Sequence, residues 1–138
     1  MTKQFRSLAA ITVLLTAIAA SGQLSHQSRV NVPFAFMAAG RSLPAGDYRV
    51  DMDMTRALVT LSAYNSKPIM FLTVRATQME NAQSYLRFHR YGERWFLQEV
   101  TIEGMSQIVR IAQREKQFIT SSTPPDNAEP IIADIAMP

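Results

Sequence analysis

The histidines, aspartates and serines are the residues of this sequence whose chemistry could support catalysis. The chain has two histidines, His26 and His89, and no cysteine, so it cannot build a multi-histidine or a thiolate zinc site. A serine hydrolase built on His89 would need a serine and a carboxylate beside it, and no Gly-x-Ser-x-Gly elbow occurs. We therefore expect no catalytic residue, no metal and no cofactor.

Three aspartates at alternating positions are the other residues that could support catalysis or bind a metal. In a strand, Asp47, Asp51 and Asp53 would present their carboxylates on one face. Residues 51–55 also match the Asp-x-Asp-x-Thr string of haloacid-dehalogenase-type phosphatases, in which the first carboxylate attacks phosphorus. That chemistry needs a parallel α/β sheet, and a calcium loop would need a glycine and a distal glutamate. We interpret the aspartates as a solvated strand face.

A hairpin is the most informative element for binding. Two β-rich runs, Tyr85–Arg90 and Trp95–Ile102, flank a turn at residues 91–94. Strict alternation assigns one face to the core, with Leu86, Phe88, Phe96, Val100 and Ile102. It assigns aromatic and charged residues to the other face, namely Tyr85, Arg87, His89, Tyr91 and Trp95, with Leu97 and Glu99 beside them.

This aromatic and charged face is the candidate binding site. A ring supplies contact area and a guanidinium supplies directed donors, which suits a sugar, a peptide or an aromatic ligand. The alternative is that a helix or a second sheet covers the face and leaves Arg87 and Glu99 as an ion pair at its rim.

The elements that must position these residues are also strands. Residues 29–37, 47–54 and 57–64 alternate between apolar and polar side chains, and Pro33 indicates a sheet edge or a bulge. Residues 69–74 are apolar at both parities, which predicts a strand covered on both sides at the centre of the core. The fold class expected is mainly β, a small antiparallel sandwich or barrel of about six strands. A short C-terminal helix follows, although residues 108–111 could instead extend a strand.

Three segments divide the 138 residues. Residues 1–22 have the basic start, short apolar run and small residues of a cleavable export signal, and the run is too short to span a bilayer. Residues 23–119 are expected to form a single β domain. Residues 120–138 contain four prolines and three acidic side chains without a base, which predicts a disordered tail.

Two blocks of the sequence resemble a known family. They are Val-Pro-Phe-Ala-Phe at 32–36 followed by Ala-Gly-Arg-Ser-Leu-Pro-Ala-Gly-Asp-Tyr-Arg-Val at 39–50, and Phe-His-Arg-Tyr-Gly-Glu-Arg-Trp-Phe-Leu-Gln-Glu-Val at 88–100. Both are similar to signatures of a family of short exported bacterial proteins of the acidobacterial type. The resemblance implies a secreted β domain and carries over no catalytic residue.

Charge and motifs together favour a binding role. Without Lys3 and Arg6 of the signal, 12 basic side chains face 11 acidic ones, so the mature chain lacks the charge excess of a nucleic-acid-binding protein. We expect a non-catalytic domain in the periplasm or outside the cell, with a protein or glycan partner and no membrane anchor after cleavage. The alternative is a small hydrolase or isomerase that uses Asp47, Asp51 and Asp53, or His89.

Overall fold

Alternating apolar and polar residues form most of the molecule. The computed structural model describes residues 25–76, 83–110, 113–122 and 129–138, and within them it is mainly β, with ten strands and one short helix. The predicted fold class is confirmed, although the strands outnumber the expected six. The elements are β1 (Ser25–Val32), β2 (Phe36–Ala38), β3 (Arg41–Leu43), β4 (Gly46–Asp53), β5 (Leu58–Ala63), β6 (Ile69–Arg75), β7 (Tyr85–Tyr91), β8 (Arg94–Ile102), β9 (Met105–Val109), α1 (Gln113–Ser122) and β10 (Ile131–Ala136).

All ten strands belong to one open, mixed sheet. Its main path runs β1-β4-β5-β6-β9-β8-β2-β3, while β7 pairs with β8 and β10 pairs with the opposite edge of β7. Every pairing is antiparallel except the short one between β2 and β8. Tight turns connect neighbours: Glu103 and Gly104 have φ of 51° and 79°, the positive values that a type I′ hairpin turn requires.

One hydrophobic core lies against the sheet. Buried side chains from β1, β2 and β4 to β9 form a single cluster, which Met137 joins from the C-terminal segment. Its centre is aromatic: Phe36 packs edge-on against Phe88 at 5.1 Å and against Tyr48 at 5.4 Å between ring centroids. Such edge-to-face pairs add to the free energy gained from burial alone. The core therefore ties the first half of the sheet to the β7–β8 hairpin.

The alternation of β1, β4 and β5 is confirmed. Val30 and Val32 on β1, Val50 on β4, and Val59 and Leu61 on β5 are buried. β1 lies at one end of the sheet path and ends immediately before proline 33, as expected for a residue that cannot donate to a ladder.

The prediction for residues 69–74 is wrong on one face. Phe71 and Thr73 are buried, but Met70, Leu72 and Val74 point outward and are 64%, 56% and 53% exposed. The segment is therefore a half-buried strand whose outer positions are apolar. Apolar residues at both alternating positions of this strand therefore do not indicate that both of its faces are buried.

The prediction of a disordered tail is wrong for its last part. Residues 131–136 form β10, in register with β7 from Ile131 opposite Arg90 to Ala136 opposite Tyr85. Beyond β10, Met137 donates its amide to the Ser84 carbonyl at 2.8 Å and buries its side chain. The prolines of the segment suggested disorder, although the residues between them form a short strand.

Helix α1 lies against the outer side of the β7–β8 hairpin. Glu115 is buried and accepts a hydrogen bond from the Gly40 amide at 2.8 Å, in the turn between β2 and β3. Phe118 packs on Phe96 with 5.8 Å between ring centroids, and the Arg94 guanidinium lies 4.6 Å from the Phe118 ring. No helix in the described residues has the length and hydropathy needed to cross a membrane. The predicted export signal lies outside those residues.

Candidate functional site

A bulge in β8 changes which hairpin residues face the core. Arg87 pairs with Glu99 but Phe88 pairs with Leu97, so Gln98 is an extra residue with no partner in the ladder. An extra residue of this kind reverses the parity of the strand beyond it. The expected hairpin faces are correct for Leu86 and Phe88 on β7 and for Val100 and Ile102 on β8, and wrong for the β8 residues before Gln98.

Trp95 and Leu97 consequently face inward, not toward the predicted binding surface. Trp95 stacks on Phe34 at 4.5 Å with 19° between the ring planes, and Phe34 in turn packs on Phe88. Phe96 takes the outer face instead, where it lies under Phe118 and against Tyr91. The helix thus covers one end of the face, as the alternative interpretation expected.

Arg87 forms ion pairs with two carboxylates of the protein. It stands between two carboxylates on neighbouring strands: its Nε and Nη2 donate to Asp134 at 2.8 Å each, and its Nη1 donates to Glu99 at 3.2 Å. The guanidinium also lies 4.9 Å from the Tyr85 ring centroid. The hydrogen bond to Asp134 is the main cause that raises the pKa of Arg87 and lowers that of Asp134. This side chain holds β10 on β7, and three of its five N–H donors are used within the protein.

His89 does not form a catalytic pair. Its Nδ1 lies 3.4 Å from the Tyr91 hydroxyl, and no carboxylate hydrogen-bonds it within the described chain. Burial, and then the charge of Arg87, lowers the pKa of His89, so the imidazole is neutral at pH 7. The hairpin face therefore holds Tyr85, Arg87, His89 and Tyr91 in a packed network without a convergent reactive group.

The aspartates of β4 are also used locally. Asp47 accepts a hydrogen bond from Asn31 at 2.8 Å, Asp51 lies 3.4 Å from the Arg49 Nε, and Asp53 accepts the Thr55 amide at 2.9 Å. Among the described residues, no group of three or more acidic or histidine side chains could hold a metal ion. The structure therefore brings no reactive pair together at Asp47, Asp51 and Asp53.

A broad depression lies elsewhere, along β1, β4 and β5. An open depression of about 840 Å³ is lined by side chains of these strands and bordered by Ala136 and Pro138 of the C-terminal segment. Ser28 on β1 donates to the Pro138 carbonyl at 3.2 Å, which fixes that border. A volume of this size is within the range of small-molecule sites, about 300–1,000 Å³.

Two arginines face each other in this depression. Arg29 on β1 is the direct cross-strand partner of Arg49 on β4. Arg49 turns aside, donating to Gln27 at 2.6 Å and lying near Asp51, whereas Arg29 makes no hydrogen bond or ion pair with any described residue. Like charges directly opposite each other destabilise a sheet. The pair is therefore expected to destabilise the sheet locally, and no described residue compensates the charge of Arg29.

The remaining lining is polar and aromatic. Asn31 and Ser62 lie beside the arginines, and Tyr64 is 91% exposed at the end of β5. The sequence alone does not reveal this site, because the site depends on the register between β1 and β4. Parity alone would place Arg29 and Arg49 outward, but it does not show that they are neighbours.

Comparisons with known proteins add no candidate. No protein-family model, curated protein or solved structure matches the chain.

Proposed function

We propose that the protein is an exported, non-catalytic β domain that binds an acidic glycan in the depression formed by β1, β4 and β5. The observation that carries the proposal is the opposed pair Arg29 and Arg49, of which Arg29 has no partner among the described residues. The export signal predicted for residues 1–22 and the resemblance to short exported bacterial proteins support a role at the cell envelope or outside it.

Electrostatics favours an anionic group at the arginines. A carboxylate or sulfate between Arg29 and Arg49 would offset their mutual repulsion and accept charge-assisted hydrogen bonds. Asp47, which also lines the depression, accepts a hydrogen bond from Asn31 and forms no ion pair with Arg29. The depression is far larger than one ion, so the anionic group is expected to belong to a larger molecule.

The rest of the lining favours a sugar over a peptide. The exposed Tyr64 ring offers a flat apolar surface on which a pyranose ring can stack, and Ser62 and Asn31 offer short polar groups for hydroxyls. Together these residues suit a glycan of uronic acids, which carries one carboxylate on each ring.

The test uses tetragalacturonate as the acidic probe and maltotetraose as the neutral one, with isothermal titration calorimetry at low salt on the exported form. We expect binding of tetragalacturonate only. Arg29→Gln should weaken it at least tenfold, since a charge-assisted hydrogen bond contributes about 1.5–3 kcal/mol. Tyr64→Ala should weaken it further by removing the stacking surface.

Arg41→Gln is the matched control. Arg41 is an exposed arginine on β3, outside the depression, so this variant makes the same change in net charge. Equal loss of affinity in Arg29→Gln and Arg41→Gln would show attraction by overall charge alone and would refute the site. Equal binding of maltotetraose would refute the role of the carboxylate, and the absence of any binding would refute the glycan proposal.

A further inference from the structure

The C-terminal segment, residues 131–138, connects the hairpin network to the arginine depression. Within β10, Asp134 accepts two hydrogen bonds of 2.8 Å each from Arg87 on β7. Four residues further on, Pro138 lines the depression, and its carbonyl accepts a hydrogen bond from Ser28 on β1 at 3.2 Å. The same short segment therefore contacts both the ion pair and the candidate glycan site.

Few contacts hold the C-terminal segment in place. β10 pairs with β7 alone, and its other edge pairs with no described strand. Beyond β10, the Met137 amide donates to the Ser84 carbonyl at 2.8 Å, and the Met137 side chain is buried. Ile131 and Ile132 are exposed. Elements with few buried side chains open locally at a lower free energy than the whole domain needs to unfold. We therefore expect the segment to undock while the rest of the sheet stays folded.

We infer that docking of the C-terminal segment is coupled to glycan binding, and that Asp134 is a positioning residue for the site. This inference rests on the proposed function, since the ligand concerned is the acidic glycan. Ala136 and Pro138 border the depression only while β10 is paired with β7, so the complete site exists only in the docked state. A ligand that binds one of two states better than the other shifts the population toward that state.

Asp134 acts on the site without touching the ligand. Neither Asp134 nor Arg87 is among the described residues that line the depression, and two residues of strand, about 7 Å, separate Asp134 from Ala136. Glu99 on β8 also holds the Arg87 guanidinium, at 3.2 Å, so the hairpin presents a fixed cation to β10. Loss of the Asp134 carboxylate should therefore loosen the segment without removing a group that contacts the glycan.

The first test measures docking in the free protein by amide hydrogen exchange followed by NMR. The Met137 amide reports the segment, because its hydrogen bond to Ser84 exists only in the docked state. Asp134→Asn should speed its exchange about three- to tenfold, the effect expected of a partly exposed ion pair with two hydrogen bonds. Glu93→Gln is the matched control, since it removes a carboxylate that pairs with Arg90 at 3.7 Å, outside β10. Unchanged exchange in Asp134→Asn, or an equal effect of Glu93→Gln, would overturn the role of Asp134.

The second test adds tetragalacturonate at about 100 times the dissociation constant that calorimetry gives. If the glycan binds only the docked state, exchange of the Met137 amide should slow about 100-fold. The Ala76 amide is the matched control: it also lies one residue beyond a strand, β6, and donates to the Ser106 carbonyl at 3.0 Å, outside the depression. Its exchange should not change. Equal slowing of the two amides would show stabilisation of the whole domain and would overturn the coupling.

Calorimetry and hydrogen exchange distinguish this inference from the proposed function. Glycan binding with unchanged exchange of the Met137 amide would refute the coupling and leave the proposed function intact. Absence of binding in calorimetry would refute the proposed function and the coupling with it. The anchoring of the segment by Asp134 is decided in either case by the first test, which needs no ligand.

Discussion

Replacing Met137 by alanine tests whether the C-terminal segment is part of the folded domain. Met137 is 6% exposed, belongs to the core cluster and follows β10 directly. Truncation of a buried methionine to alanine costs about 2–5 kcal/mol. Because Met137 lies beyond β10 and not within a strand ladder, its surroundings can relax, and we expect the lower part of that range, about 2–3 kcal/mol.

Urea unfolding followed by tryptophan fluorescence measures this loss, since Trp95 lies against the core. The melting temperature should fall by about 10 °C, at about 3–6 °C per kcal/mol for a domain of this size. Met70→Ala is the control: Met70 is 64% exposed, and its loss should change the free energy of unfolding by less than about 0.5 kcal/mol.

Deleting residues 131–138 extends the same test. The deletion removes Met137, the β10 ladder and the Asp134 partner of Arg87 together, so it should cost more than Met137→Ala alone. A deletion that leaves the melting temperature unchanged would refute the docking of β10. Equal effects of Met137→Ala and Met70→Ala would contradict the assigned burial.

Three further outcomes follow from the hairpin and the arginine pair. Phe96→Ala should lower the free energy of unfolding by about 3–5 kcal/mol, because Phe118 covers Phe96 although it lies outside the core cluster. In the same unfolding assay, His89→Ala should lower it by less than about 1 kcal/mol. The free energy of unfolding should fall as the pH is lowered below about 6.5, because the pKa of His89 is lower in the folded state than in the unfolded state. It should fall again below about pH 4, because folding also lowers the pKa of Asp134. Asp134→Asn should remove the second fall, and its persistence would contradict the ion pair with Arg87. Arg29→Gln should raise the free energy of unfolding by about 0.2–1 kcal/mol by relieving cross-strand repulsion, and a loss of stability would show that Arg29 has a structural partner.

The strands that could be predicted are those in which alternation and burial coincide. Val50 and Met52 on β4, and Val59 and Leu61 on β5, are apolar and buried, with polar residues between them. In these segments local composition and tertiary packing favour the same structure, which is why the class of the fold could be read from the sequence.

The predictions fail where an apolar side chain lies outside the core, or where a strand pairs with a partner that is distant in the sequence. The outward residues of β6 have the composition of a buried strand, and only the sheet shows that nothing in the described chain covers them. The bulge at Gln98 depends on how β8 pairs with β7, so parity gave the wrong face to Trp95 and Phe96. β10 docks across a separation of more than forty residues, a contact that local sequence patterns do not encode.

The bulge at Gln98 has a consequence for how the sequence can vary. Because of the bulge, neighbouring residues of β8 pack against different parts of the protein. Trp95 contacts Phe34 on the core side of the sheet, and Phe96 contacts Phe118 on the helix. Across descendants of this gene, substitutions at position 96 should accompany those at 118, independently of changes at 95 and 34. Losing one residue next to Gln98 would exchange the two partners at once. Natural selection should therefore tolerate many side-chain replacements in this strand but few insertions or deletions.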